Sequence, residues 1–228
     1  KDNLSTSLML FTLSLILLFV GKFPWLKLVS IIGGGIALLF IVISVHKGFP
    51  ELNLLPRYDT WEKRIERKTD SDAISKIDNA QADNAELAIF NGSIFGQGVG
   101  DGKLKEYLPE AYADFYYASF VEEFGTVSSV LLIFLYLILL LRIIKVALRT
   151  DSLFESYACL GIGIHLLSQA SINMLVCTGI FPVTGQNMPF LAMGGSALIM
   201  ACISIGIVQS IAYKSLKGTA ANKSFDDE

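Results

Sequence analysis

Five apolar blocks, most of them long enough to cross a lipid bilayer, decide what this chain can fold into. They run from Leu4 to Val20, from about Leu26 to Val45, from about Phe115 to Leu141, from Tyr157 to Ile180 and from Met188 to Tyr213. A helix rises about 1.5 Å per residue, so about 20 apolar residues span the ~30 Å of hydrocarbon. Within lipid every backbone N–H and C=O must be satisfied by the protein, and helices do this locally. Only 17% of the 228 residues are charged and 53% are hydrophobic, too little charge to clothe a soluble domain of this size. The pattern predicts an all-α integral membrane protein, a polytopic bundle with five transmembrane helices. Gly33-Gly34-Gly35 inside the second block suits close approach of a neighbouring helix. Trp25, Tyr107, Tyr116, Tyr117, Tyr157 and Tyr213 stand near block ends, as interfacial aromatics do.

Basic residues orient the bundle. Lys22 and Lys27 lie between the first two blocks, and Arg142, Lys145 and Arg149 between the third and fourth. Lys214, Lys217 and Lys223 follow the fifth. Alternating spans put all three groups on one side, which the positive-inside rule makes cytoplasmic. The predicted division is therefore two transmembrane helices over residues 1–45 and a large extracytoplasmic loop over 46–114. Three transmembrane helices follow over 115–213, with a short extracytoplasmic loop at 181–190, and 214–228 form a cytoplasmic tail. A net charge of −3 gives no footprint for nucleic acid. Cys159, Cys177 and Cys202 sit in apolar blocks and read as small buried hydrophobes. The chain opens on Lys1 without Met, which points to the C-terminal part of a longer protein.

The large loop is the main polar piece. It predicts a short amphipathic helix from about Asp72 to Phe90, with a solvated segment as the alternative, favoured for Glu62 to Asp78. NGSIFGQGVGDGK follows, with glycines at 92, 96, 98, 100 and 102. Two readings stay open: amides brought close to an anion, or flexible turns. No strand precedes the run, so a dinucleotide-binding motif is excluded.

Polar residues at membrane depth carry the candidate chemistry. His165, Gln169 and Asn173 are spaced by four and share one helix face. They line a polar cavity or tie helices together. FPVTGQNMPF, residues 181–190, is bracketed by Pro182 and Pro189 and leads into Met193-Gly194-Gly195-Ser196, a pattern for a broken or re-entrant segment. It falls on the same side as Asp114, so the two outer loops can roof one cavity. Asp114 stands among Tyr112, Phe115, Tyr116 and Tyr117, where an unpaired carboxylate is expensive. If Pro109 starts the helix, Glu110 and Asp114 share a face one turn apart. Asp114 then serves as a general base or as an interfacial ion pair with Arg57 or Arg64. Glu122 and Glu123, further into the span, read as bundle-stabilising partners.

At this point the motifs are recognisable together. EYLPEAYADFYYASFVEEFG resembles the EYLPEAHTDFIFA…EELG motif of the SEDS family, the FtsW, RodA and SpoVE proteins. QADNAELAIFNGSIFGQGVG resembles the family's Gln, AI and GxGxG stretch, and KDNLSTSLML its QPDLGT element. QASINMLVCTGIFPVTGQNMPFLAMGGS resembles its QAxxNxGVxxGxxPxxGxxLPxxSxGGS segment. Their order holds over nearly the whole chain. Tyr112-Ala113 replace the family's His-Thr, Ala192-Met193 depart from its Ser before GGS, and the glycine loop is one residue short. PVTGQ resembles Bacteroidetes-like sequences, and PEA leans towards the FtsW division type over the RodA elongation type.

The resemblance implies a multi-pass protein of the cytoplasmic (inner) membrane with its active site facing the periplasm. It implies roughly twice as many spans in the whole protein as here. The implied activity is a glycosyltransferase polymerising lipid II into peptidoglycan strands, with Asp114 as catalytic base. Lipid II and the growing glycan strand are the implied substrates; the transfer inverts the anomeric carbon, and undecaprenyl pyrophosphate leaves. Arg57, Arg64, Lys103, Lys105 and the glycine-loop amides are candidates for the pyrophosphate charge. Glu110, Gln169, Asn173, Thr184, Gly185 and Ser196 are further candidate substrate contacts. A divalent cation, Mg or Mn, is a candidate cofactor, although no ligand cluster stands out in the sequence. A class B penicillin-binding protein, other divisome membrane proteins and membrane lipid are the implied partners. A lipid II flippase and a non-catalytic divisome scaffold are the competing readings. Against the first, the chemistry-capable groups gather in the outer loops, with only His165 at the midplane.

Overall fold

A computed structural model describes residues 4–48, 76–103 and 112–226 of the chain, with the side chains of Leu4, Lys47, residues 76–80 and residues 218–226 set aside. The described residues are helical or irregular, without strand. The helices are α1, Leu4–Val20; α2, Trp25–Gly48; α3, Lys76–Gly92; α4, Tyr116–Arg149; α5, Leu153–Cys177; and α6, Gly195–Asp226. Four segments are long and apolar enough to cross a membrane: Trp25–His46, Tyr116–Arg149, Leu153–Cys177 and Gly195–Lys217. Ser5–Val20 is a shorter apolar helix. The protein is a polytopic, all-α membrane protein.

The chain divides into two compact units, one of residues 1–13 with 80–228 and one of 14–79. In the second unit, Phe23 N–H bonds back to the carbonyl of Leu18 and Lys27 N–H to that of Pro24, closing the turn between α1 and α2. Trp25, Leu26, Val29, Ile36 and Phe40 of α2 are exposed. Side chains at Gly33 or Gly34 would meet no atom within 4 Å among the described residues.

The other unit is built on α4. It packs along α5, and α6 lies against both. Where the Cβ of Gly163 would stand, Ile143 and Leu140 are already within 3.2 Å, so α4 and α5 approach closely there. Ile143, Ala147, Cys159, Val208 and Ile211 fill the core at this end. Polar bonds close the same end: Lys214 pairs with Glu155, and Ser215 donates to the carbonyl of Arg149. At the other end Phe115, Tyr117, Ala118 and Val121 pack with Val176, Cys177, Met188 and the small-residue face of α3, Ala85 and Ala88. Cys159 and Cys177 are buried as expected, but Cys202 is exposed on α6.

The helix limits depart from the apolar blocks for local reasons. The last helix starts at Gly195 rather than near Met188, because Pro189 and the glycines that follow hold the backbone in turns. α4 starts at Tyr116, with Phe115 as its N-cap, so Asp114 stands just before the helix and not one turn inside it. Pro109 and Glu110 lie outside the described residues.

Candidate active site

α4 is broken at Gly125, whose φ of 80° and ψ of 175° interrupt two helical stretches. That backbone conformation is essentially restricted to glycine. A break at membrane depth leaves carbonyls and amides that need partners. The glycine-rich loop supplies them. Gln97 and Gly98 donate N–H bonds to the carbonyls of Glu122 and Glu123, at 2.9 and 3.1 Å. In return, the carbonyls of Ser93 and Ile94 accept the N–H groups of Thr126 and Val127. The Thr126 hydroxyl also donates to Ser93 at 2.6 Å. Gly96 is forced by proximity, since a Cβ there would stand 2.2 Å from the carbonyl oxygen of Glu123. Gly96 therefore serves backbone-to-backbone docking, and the amides of Gln97 and Gly98 are spent on the same contact.

Glu122 secures the loop's far end. It is 1% exposed, and its Oε1 accepts the backbone N–H of Lys103 at 3.1 Å. The Lys103 side chain itself is exposed. Glu122 thus takes a stabilising part, as its place in the span suggested, although its partner is a loop amide.

Asp114 is half-buried at the foot of the same structure. The outer loop reaches it through Gly185, whose φ is 66° and whose Cβ would stand 3.3 Å from Asp114 Oδ2. Only a residue without a side chain lets the loop backbone lie this near the carboxylate at this φ. Thr184 beside it is buried, and its hydroxyl has no hydrogen-bond partner among the described residues. Met193 N–H bonds to the carbonyl of Tyr112 at 2.7 Å, and Tyr136 donates its hydroxyl to the carbonyl of Pro189.

Asn173 joins these pieces. It is fully buried, and its Nδ2 donates to the carbonyls of Asp114 at 2.7 Å and Gln186 at 2.8 Å. Its Oδ1 accepts the N–H of Tyr117 at 3.4 Å and the thiol of Cys177 at 3.8 Å. Both ends of the Asn173 amide are thus engaged by the protein. Gln186 extends the tie to α1, donating from Nε2 to Thr6 Oγ1 at 2.7 Å. Gln169 is half-buried two residues beyond Leu167, and His165 keeps a buried Nδ1 with no partner among the described residues. Ser196 is exposed in the first turn of α6. Arg57, Arg64, Lys105 and Glu110 lie outside the described residues. Among the described residues no three or more His, Cys, Asp or Glu come together as metal ligands.

What remains is an acidic group at a broken membrane helix, its main chain pinned by a buried amide and its carboxylate under a proline-bracketed loop. Residues 1–217 match the family described as "Cell cycle protein", FTSW_RODA_SPOVE. The chain belongs to that family. The match takes in every segment of the site, from Thr6 through Asp114 to Ser196.

Within the FtsW/RodA/SpoVE family the chain is similar to the probable peptidoglycan glycosyltransferase FtsW of Haemophilus ducreyi, 33% identical over 207 residues, covering 89% of this chain and 51% of that protein. It is similar to the protein of the same description from Enterococcus hirae at 28% identity, covering 95% of this chain and 55% of that one. The Geobacter sulfurreducens protein so described is 40% identical over 133 residues, 58% of this chain and 35% of the relative. The chain thus spans about half the length of the first two of these curated relatives. A solved structure of a peptidoglycan synthase complex that coordinates polymerization and crosslinking shares the fold, with a TM-score of 0.65 at 21% identity over 94% of this chain and 57% of that one.

Sequence reasoning singled out Asp114, Asn173, Thr184 and Gly185, and the structure places Asp114, Asn173 and Gly185 side by side. It missed Gln186, Tyr136 and the break at Gly125. A glycine eleven residues after Asp114, in a block that otherwise reads as one helix, was the available signal for the break.

Proposed function

We propose that this chain is the part of an FtsW-like peptidoglycan glycosyltransferase that carries the catalytic base, acting on lipid II in cell division. The observation that carries this reading is the setting of Asp114, with its carboxylate against Gly185 and its main chain fixed by Asn173. A general base must be held within hydrogen-bond reach of the hydroxyl it deprotonates, and a pinned backbone restricts where the carboxylate can go. Asp114 takes the proton from the acceptor sugar's 4-hydroxyl. The oxygen attacks C1 of the donor sugar, the bond to the pyrophosphate breaks, and undecaprenyl pyrophosphate departs. One base with attack opposite the leaving group inverts the anomeric carbon, as in inverting glycosidases. The leaving group is already activated and needs charge stabilisation more than a proton. Lys103, exposed at the end of the glycine loop, and Arg57, Arg64 and Lys105 are the candidates for that charge. Glu110, Gln169, Thr184 and Ser196 remain candidate substrate contacts. An Mg or Mn ion remains a candidate cofactor, and no step here is routed through one.

The basic residues support an orientation with residues 46–114 and 181–190 outside the cytoplasmic membrane and 214–228 in the cytoplasm. There the enzyme would meet flipped lipid II, the growing strand and a class B penicillin-binding protein, with other divisome membrane proteins. An elongation role of the RodA kind rests on the same chemistry.

The test is Asp114→Asn in the full-length protein, purified and supplied with lipid II. It should insert normally and form no glycan strand. Retained polymerisation would overturn the general-base role, and the same assay on the unaltered protein separates a polymerase from a flippase or a scaffold.

A further inference from the structure

Backbone hydrogen bonds fix the depth of the glycine-rich loop. Gln97, Gly98, Ser93 and Ile94 bond to Glu122, Glu123, Thr126 and Val127 of α4. Arg142, Lys145 and Arg149 on α4, together with the Lys214–Glu155 pair, mark the opposite, cationic end of the bundle. From Leu141, the last apolar residue before Arg142, back to Thr126 is about 22 Å of helix at about 1.5 Å per residue. The hydrocarbon is about 30 Å thick. The loop therefore lies within the apolar slab near its far face, and tilt of the helix would place it deeper.

Its side chains fit that position. Phe90 is 81% exposed, Phe95 84% and Val99 74%, with Ile94 and Leu87 also exposed. Surface loops in water carry polar tips. Val127, Val130, Leu131 and Phe134 follow the i, i+3, i+4, i+7 spacing of one helix face, and all are exposed. Val127 is the residue whose N–H bonds to Ile94, so the loop's apolar crown continues that stripe. The backbone groups of the loop that face α4 are already bonded, which is the condition for irregular backbone at membrane depth. Gln97, Asp101 and Lys103 are exposed beside the crown, as suits the headgroup level.

We infer that α3 and the glycine loop form a wedge inserted among the acyl chains of the leaflet opposite the cationic end, with Phe90, Ile94, Phe95 and Val99 touching lipid. The loop is thus a membrane contact that sets the depth of the broken helix, whichever reaction Asp114 serves.

A nitroxide label tests this on the full-length protein in phospholipid nanodiscs, with other reactive cysteines replaced. Phe95→Cys and, separately, Val99→Cys carry the label, and relaxation by molecular oxygen is compared with that by nickel(II)-EDDA. The wedge requires strong oxygen and weak nickel accessibility at both sites, with Asp101→Cys shifted towards nickel. Strong nickel accessibility at Phe95 and Val99 would mean water. Weak accessibility to both reagents would mean that protein, either the rest of this polypeptide or a partner, covers the patch. Either result overturns the inference.

Discussion

At Asn173 one side chain holds two carbonyls, from residues 59 and 13 positions away. Each buried carbonyl left without a donor costs about 1–3 kcal/mol. Asn173→Ala should therefore lower the melting temperature of the detergent-solubilised full-length protein and reduce polymerisation through turnover more than through substrate affinity. Asn173→Asp keeps the shape and the acceptor but loses both donors, so it should not rescue. Normal turnover in Asn173→Asp would show that the Asp114 carbonyl needs no pin. Gly185 makes the complementary point from the loop side. Gly185→Ala must adopt a left-handed φ, at about 1–2 kcal/mol, and brings a methyl to 3.3 Å from Asp114 Oδ2. Membrane insertion should be unaffected while polymerisation of lipid II falls, and equal rates for variant and parent would show that the loop yields readily.

At the scale of elements, the broken helix and its loop are one device. A Cβ on Gly125 would stand 2.4 Å from the nitrogen of Gly96 and from the carbonyl oxygen of Ile94. Neither atom belongs to a flexible side chain, so relief needs backbone movement. Gly125→Ala should abolish folding of the full-length protein or leave it protease-sensitive in the loop, as limited proteolysis would report. Gly96→Ala should behave alike for the same contact seen from the other strand of chain. Gly100 is the internal contrast, because nothing lies within 4 Å of its would-be Cβ. Although its φ of 91° strains any replacement, Gly100→Ala should be milder than Gly96→Ala in the same digestion. The outer loop is tied in parallel, through Tyr136 to Pro189, Met193 to Tyr112 and Gln186 to Thr6.

For the whole molecule, the polar closure of Arg149, Glu155, Lys214 and Ser215 gathers the α4–α5 turn and α6 at one end. The proposed orientation puts that end in the cytoplasm. A membrane-impermeant maleimide applied to intact cells should label Asp101→Cys and spare Asp151→Cys until the cells are opened. The reverse pattern would invert the topology and move Asp114 away from external substrate. The chain spans about half of its curated relatives.

The apolar blocks by themselves determined the fold class, since length and hydropathy leave a membrane helix few alternatives. The motif string determined the family, and the positions of Asp114, Asn173 and Gly185 within it. Hydrogen-bond partners were beyond reach, because spacing by four places Asn173 on a helix face without saying which carbonyls lie opposite. That decision needed three remote segments to meet: the turn before α4, the end of α5 and the loop at 181–190. The glycine run shows the limit most clearly. Its residues permit close backbone approach, and only the tertiary structure showed that Gly96 approaches the gap in α4 at Gly125.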